Sequence, residues 1–331
     1  MNWLITGGCG FIGLRFVKYL LDETKDNIRI LDNLSVGSMD ELSSLTDPKQ
    51  ITCMDFDWDD RLSLIRGDIE DYNVVNKSVK GANYVVHLAA NTGVMPSIED
   101  PRADFMSNAM GTFNLLQAST THKVDRFVFA SSGAPLGEVD PPIHENLPTK
   151  PLSPYGASKL SGEAYCSAFY HSFGLNTVAL RFGNVYGVGS KQKGSVVAKF
   201  IKEALNPEKT TWEIFGDGSQ TRDFIYVDDL IEAILCAIET PDVGGEIFQI
   251  ATSKETTVAE IAEALNEILN RHGYAKMHIE NKRFRVGDAR RNFSDTSKAK
   301  RRLGWSPSVD LPDGLDKTFR YFLEEGARNG R

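Results

Sequence analysis

Cysteine is scarce in this chain, with four (Cys9, Cys53, Cys166 and Cys236) among 331 residues. No two are spaced as CxxC, the pattern that metal sites and redox pairs use, so neither is expected. Widely scattered thiols suit a reducing compartment, and a cytoplasmic location follows as an expectation. Long apolar runs are also missing. None approaches the roughly 18 residues needed to span a bilayer. The opening Met1-Asn2-Trp3-Leu4-Ile5-Thr6-Gly7 holds no basic stretch and too short an apolar run for a secretory signal. Basic residues are outnumbered, 37 Lys and Arg against 45 Asp and Glu, giving a formal net charge of -8. That balance argues against a nucleic-acid partner, which calls for a basic face. It leaves anionic small molecules open, because a few arginines in a cleft reverse the local field.

What is present is a regular alternation of short apolar runs with amphipathic stretches, the pattern of a parallel α/β sheet. It predicts strands at 2–6, 28–32, 62–66, 84–89, 126–131 and 177–181, with helices over 11–21, 105–119 and 155–172. Beyond that the texture changes. Loops are expected at 183–195 and 210–223, a helix at 228–239, a returning strand at 246–250, and a helix at 257–271 opened by Thr256 or Thr257. The tail from Glu325 reads as frayed. The expected fold is α/β, a Rossmann-type doubly wound parallel sheet with a smaller C-terminal substrate-binding lobe. Residues 1–180 and a returning segment 224–252 form the sheet domain; 181–223 and 253–331 form the lobe. Ligands of such sheets bind at the carboxyl ends of the strands.

Glycines stand at Gly7, Gly10 and Gly13, directly after the first strand and at the opening of a helix that begins Phe11-Ile12. The first permits a tight turn, the second lets backbone N–H groups approach a pyrophosphate, and the third lets helix pack on strand. The helix N-terminus adds partial positive charge for the phosphates. Asp32 ends the second strand, nineteen residues after Gly13, and Asn33-Leu34-Ser35-Val36 follows without an arginine. A carboxylate there accepts from both ribose hydroxyls of NAD and repels the 2′-phosphate of NADP, so NAD is the expected cofactor. Asp68 and Ile69, after the third strand, are candidates to meet the adenine. Leu88, Ala89 and Ala90 would let NAD lie against backbone, whereas His87 reads as a satisfied core residue.

Tyr155-Gly156-Ala157-Ser158-Lys159 sets a phenol and an ammonium four residues apart, on one helical face. A nearby lysine and a positive nicotinamide both favour the phenolate, which would make Tyr155 a general base near neutral pH. Ser132 lies at a strand end twenty-three residues earlier and can offer its hydroxyl to the same substrate oxygen.

With these pieces in view the chain resembles the extended short-chain dehydrogenase/reductases, in particular the nucleotide-sugar epimerases and dehydratases. The resemblance covers nearly the whole sequence: TGGCGFIG (6–13), LDNLS (31–35), GDI (67–69), HLAA (87–90), NAMGT with Asn108, ASSGAPLG (130–137), PYGASK (154–159), RFGNVYG (181–187), FGDGSQTRDFIYVDDL (215–230), RVGD (285–288) and LGW (303–305). It implies Ser132, Tyr155 and Lys159 as the catalytic trio, with Lys159 also on the nicotinamide ribose. It adds Phe11, Ile12, Asn33, Ile69, Leu88 and Asn108 to the cofactor site. Thr92, Val197, Asn184, Arg222, Arg285, Asp288 and Asn292 are implied around a nucleotide-diphosphate sugar. It further implies a homodimer built on helices 105–119 and 155–172.

Gly133-Ala134-Pro135-Leu136 follows Ser132, and none of these side chains exchanges a proton. Family dehydratases and decarboxylases carry an acidic residue in this stretch, so the resemblance points to a 4-epimerase. Such an enzyme oxidises, rotates and re-reduces its sugar. Dehydratase, decarboxylase or reductase chemistry is the alternative, with Glu138 or the 190s supplying the missing group; a non-catalytic NAD-binding sensor is a third reading. Pro135-Leu136, Thr92 and Gly183 depart from the usual family residues around the sugar. Asn292 is of intermediate size at a position that tunes tolerance for an N-acetyl group. UDP-hexose and UDP-N-acetylhexosamine both remain, and Arg290 or Arg291 could address a uronate, although a solvated basic turn is the plainer reading.

Overall fold

The computed structural model describes residues 1–46, 49–51, 58, 60–283 and 290–329. The first strands are β1 (Asn2–Thr6), β2 (Asn27–Asp32), β3 (Lys49–Ile51), β4 (Leu62–Arg66), β5 (Tyr84–His87), β6 (Arg126–Ser132) and β7 (Thr177–Phe182). Then come β8 (Asn184–Tyr186), β9 (Thr211–Phe215), β10 (Thr221–Arg222), β11 (Phe224–Tyr226), β12 (Glu246–Ile250), β13 (Thr256–Thr257) and β14 (His278–Lys282). Eight of them build one sheet in the order β12-β7-β6-β5-β1-β2-β4-β3. Every pairing in it is parallel.

Strand order explains where a ligand fits. From β1 the chain builds outward through β2, then returns to place β5 on the other flank of β1. The connections after β1 and β5 therefore diverge, and a crevice opens at their carboxyl ends.

Side chains of the inner strands alternate between two buried faces, as the strand period requires. Ile5, Ile30, Val86 and Val128 pack with Phe16 and Val17 of the helix Phe11–Glu23 and with Leu230 and Ile234 of the helix Val227–Glu239. Their neighbours Leu4, Leu31, Val85 and Phe127 face the other way, toward Leu115, Leu116, Cys166 and Phe169. A third apolar cluster gathers Tyr186, Val197, Phe200, Trp212, Tyr226, Ile261, Leu265, Leu315 and Phe319.

Element by element, the sequence reading needs four adjustments. β3 is an extra strand between the second and third expected ones. Positions 183–195 and 210–223 carry short strands: β8 pairs with β11, β9 with β14 and β10 with β13. The helix expected at 105–119 begins as a π-turn, Phe105–Met110, and becomes α-helical only over Gly111–Thr121. Finally, the tail expected to fray from Glu325 stays helical to Asn329, as the end of a helix that begins at Leu311 and buries Leu315, Phe319 and Phe322. The helix Val258–Arg271 starts as expected, on a reciprocal capping box between Thr257 and Glu260. No described helix is long and apolar enough to cross a membrane.

Candidate active site

The glycine-rich turn sits at the mouth of the crevice. Gly7 has φ +69°, and a side chain there would bring its Cβ within 2.6–2.9 Å of the Leu88–Ala89 backbone. A residue other than glycine would therefore push β1 and β5 apart. The first turn of Phe11–Glu23 starts at Gly10 with no capping side chain and no acidic residue. Among the described residues, chain neighbours aside, the Gly7 carbonyl is the one atom near where a Cβ at Gly10 would stand, at 3.3 Å. Uncapped N–H groups behind an open glycine are what a pyrophosphate needs. At Gly13 a Cβ would collide with Gly7 and Gly8, so that glycine holds the helix against the turn.

Asp32 is 9% exposed at the end of β2. It accepts from the Cys9 N–H at 2.9 Å and the Leu34 N–H at 2.8 Å, and burial raises its carboxyl above the usual range. Each oxygen keeps a lone pair for a ribose hydroxyl. Beside it the Asn33 amide donates to Asp68 at 2.8 Å. Ile69 is buried, and its carbonyl is held by Asn114 at 3.0 Å. Across the crevice the Ala89 N–H donates to the Thr6 hydroxyl at 3.2 Å. Ala90 follows, and Asn108 grips Asn91 from both sides, donating to its carbonyl and accepting from its N–H, each at 2.8 Å. This set fits a dinucleotide.

His87 is a core residue, as read from the sequence. Its ring nitrogens meet the Thr6 and Thr112 hydroxyls at 2.7 and 2.9 Å, and burial holds it neutral, well below the ordinary histidine range.

The helix Pro154–Phe173 starts where its sequence says it should. The Ser153 side chain caps the Gly156 N–H at 3.1 Å, and Pro154 takes the first position, where its missing N–H does no harm. Gly156 lets this first turn press onto the segment after Ser132: a Cβ there would lie 2.6 Å from the Ala134 carbonyl oxygen. Tyr155 is thereby placed beside Ser132, close enough for the hydroxyl to act on the phenol. One turn further along, Lys159 is buried and donates to the Ala130 carbonyl at 2.9 Å. Its Nζ lies 6.0 Å from the centre of the Tyr155 ring.

Burial pushes the Tyr155 phenol above its ordinary value, Ser132 pulls it down, and Asp104 pushes it up again. Burial is the largest of these influences, so the phenolate needs more than Ser132 to form at neutral pH. Lys159 itself is pulled down to about 8 by burial, with Asp104 and Glu163 holding it up. Below Lys159, Glu163 makes a fully buried fork with Arg181, 2.7 Å on each arm, and accepts from the Ser131 hydroxyl at 2.6 Å.

Phe182 pairs beside Ser132, and the chain then runs through Gly183 and Asn184 into a cleft of about 410 Å³. Asn184, Val197 and Arg222 all line it, as do Phe215, Gln220 and Phe224. Arg222 also donates to the Thr221 carbonyl at 2.7 Å. Asn292 is placed beside this wall, its N–H 3.3 Å from the Thr221 hydroxyl. Thr92 is exposed, next to Gly93. Arg285 and Asp288 lie outside the described residues. Arg291 is held in a bidentate pair with Glu255, both arms at 2.6 Å, so its fork is already occupied.

Phe215, Gln220 and Phe224 were inside a quoted motif, yet only the fold turns them toward one cleft. Glu163 carried a fainter signal, its position four residues after Lys159 on the same helical face. Asp104 carried none.

A family profile described as "NAD dependent epimerase/dehydratase family" matches residues 3–251. The UDP-glucose 4-epimerase of Mycolicibacterium smegmatis is 33% identical over 97% of this chain and 98% of its own length. Among solved structures, the UDP-glucose 4-epimerase of Thermotoga maritima, crystallised with UDP-glucose, superposes with a TM-score of 0.86 at 36% identity, covering 98% of this chain and 99% of that one. The UDP-N-acetylglucosamine 4-epimerase of Methanobrevibacter ruminantium, in complex with UDP-N-acetylmuramic acid, does so with a TM-score of 0.87 at 31% identity, covering 98% of each chain.

Proposed function

The chain belongs to the NAD dependent epimerase/dehydratase family, and from that premise we propose that it inverts carbon 4 of a UDP-linked sugar, a hexose or N-acetylhexosamine, with a uronate as the less favoured case. One observation carries the choice within the family. Tyr155 and Ser132 meet at the sheet edge, and the turn that follows, Gly133 to Leu136, holds no ionisable side chain. Elimination of water or loss of carbon dioxide needs an additional acid or base beside the sugar. Glu138, the nearest acidic residue after that turn, is exposed.

Bound NAD would supply the hydride acceptor, and the same reduced ring the donor, while its positive charge favours the Tyr155 phenolate. Tyr155 takes the proton of the 4-hydroxyl and later returns it. Ser132 holds the same oxygen. Lys159 keeps a positive charge behind the phenol. Gly10 and the uncapped helix start would hold the pyrophosphate, and Asp32 the adenosine ribose. Arg222, with Arg285, would clamp the sugar's diphosphate by charge-assisted hydrogen bonds while the sugar turns. The proposed division gives residues 1–180 and 224–252 the cofactor, and 181–223 with 253–331 the nucleotide sugar. Its support is a further apolar cluster around Trp212 and Phe319, which Phe11, Phe224, Tyr226 and Val227 join from the cofactor side, while Leu303 and Trp305 of the C-terminal segment pack in the sheet core.

The direct test is incubation with UDP-, GDP-, CDP- and dTDP-sugars, with NMR of the products. An inverted C4 centre on a UDP-sugar is expected; a 4-keto-6-deoxy sugar or released carbon dioxide contradicts the proposal. Arg222→Ala should raise the apparent KM by about 10- to 100-fold, the loss of one charge-assisted contact, and leave NAD occupancy unchanged. Equal loss of both would refute a diphosphate role. A homodimer is part of the same proposal, supported by exposed Phe105 and Met110 on one helical segment and Tyr165 and Phe173 on the other. Light scattering should give twice the chain mass, and a monomer at micromolar concentration would exclude it.

A further inference from the structure

Asp104 is buried more deeply than its visible task requires. It ends the short helix Pro101–Asp104 with 1% of its surface exposed. One carboxylate oxygen accepts from the Asn108 amide at 2.8 Å, while Oδ2 has no hydrogen-bond partner among the described residues. Among the described residues it forms no ion pair. Removing a carboxylate from water is expensive unless its charge is used. The clamp on Asn91 does not use it. Asn108 completes that clamp with its own carbonyl and one N–H, and gives only its second N–H to Asp104. A neutral acceptor would serve equally well there.

The charge faces something else. The 101–110 segment packs on the helix that carries Tyr155 and Lys159. The Asp104 and Glu163 carboxylates both help the Lys159 ammonium hold its proton, and Asp104 pushes the Tyr155 phenol up as well. The other groups around the ammonium offer less. Glu163 is committed to Arg181 and Ser131. His87 is neutral between two hydroxyls. The Phe129 ring, 4.9 Å away, and the Ala130 carbonyl bring no full charge.

We propose that Asp104 is a positioning residue for proton transfer: its unpaired carboxylate is the counter-charge that keeps the Lys159 ammonium protonated in the buried sheet edge, and so keeps a cation behind the Tyr155 phenol during turnover.

Two effects follow from removing that charge, and their signs differ. Lys159 loses a supporting negative charge and releases its proton at lower pH. Tyr155 loses a repulsive neighbour and ionises slightly more easily. Only the first is unopposed, so the lysine's own titration is the decisive quantity. The kinetic arm rests on the epimerase reading above; the lysine titration does not.

The experiment uses NAD-loaded protein carrying 15N-lysine. The Lys159 signal is assigned by its loss in Lys159→Arg and titrated in the wild type, Asp104→Asn and Asp104→Glu, alongside the pH dependence of kcat. In Asp104→Asn, which keeps an acceptor for Asn108, the Lys159 midpoint and the alkaline limb of kcat should both fall by about one pH unit, the usual reach of a neighbouring charge. NAD occupancy should hold. Asp104→Glu should bring the midpoint back toward the wild type. A purely structural role predicts the reverse order, with Asn harmless and Glu disruptive. An unchanged midpoint in folded, NAD-loaded Asp104→Asn would overturn the proposal. If the wild type proved inactive on every sugar, the epimerase reading would fall, and the lysine titration would still decide the role of Asp104.

Discussion

Tyr155→Phe is expected to lower kcat by about 10²- to 10⁴-fold, the usual worth of a positioned general acid–base group, while the protein keeps its NAD. The substitution removes only the hydroxyl that meets Ser132. The ring remains in the first turn of its helix, and that turn is fixed by the Ser153 cap and by the close approach of Gly156 to Ala134. Nothing in the glycine-rich turn or around Asp32 depends on it. The loss should therefore fall on kcat with KM little changed, because the proton moves only during the chemical step. The wild type should also speed up as pH rises toward the phenol's ionisation, since burial holds the phenol above its ordinary value and the phenolate is the working form. That rise should disappear in Tyr155→Phe. Steady-state kinetics with NAD occupancy measured in parallel checks both points; a variant retaining most of its turnover would remove Tyr155 from the base's role.

Glu163→Gln should destabilise the fold by about 3–5 kcal/mol, the range for breaking a buried ion pair from one side. Glu163 and Arg181 are each 2% exposed, and the carboxylate meets both arms of the guanidinium. A glutamine would leave the Arg181 charge uncompensated in the core. It would also loosen Ser131, one residue before Ser132 on β6. Activity should then fall by more than NAD occupancy does. Arg181→Met combined with Glu163→Gln should regain part of the lost stability, since no charge is then stranded. Chemical denaturation at a fixed NAD concentration measures all three proteins on one scale. If Glu163→Gln matched the wild type, the buried fork would have no part in holding β6 and β7 under the catalytic helix.

Much of the cofactor site was legible in the sequence because it is local. Gly7, Gly10 and Gly13 are needed by one turn, and Asp32 follows at a spacing set by one helix and one strand. The same holds for Ser153, Tyr155 and Lys159, which share a single helical start. Glu163 with Arg181 was not legible. They are eighteen residues apart, and they meet only because β7 lies beside β6 in the register that sets Arg181 next to Ser131. Asp104 was hidden for a related reason: its neighbours on the catalytic helix come from some fifty residues away along the chain. The π-turn at Phe105–Met110 carries no periodic mark distinct from an α-helix, so the apolar pattern predicted one uninterrupted helix. The tail from Glu325 misled because its polar residues give no sign that the helix begun at Leu311 carries on to Asn329.

The measurement that bears most directly on the central claim is the fate of the C4 hydrogen during turnover in heavy water. Hydride passing out and back within one closed site should leave protium at C4 of the inverted sugar, with no deuterium detectable there by NMR or mass spectrometry. Deuterium appearing at C4 at the rate of inversion would mean that the centre exchanges its hydrogen with solvent, and the oxidation–rotation–reduction account would be contradicted.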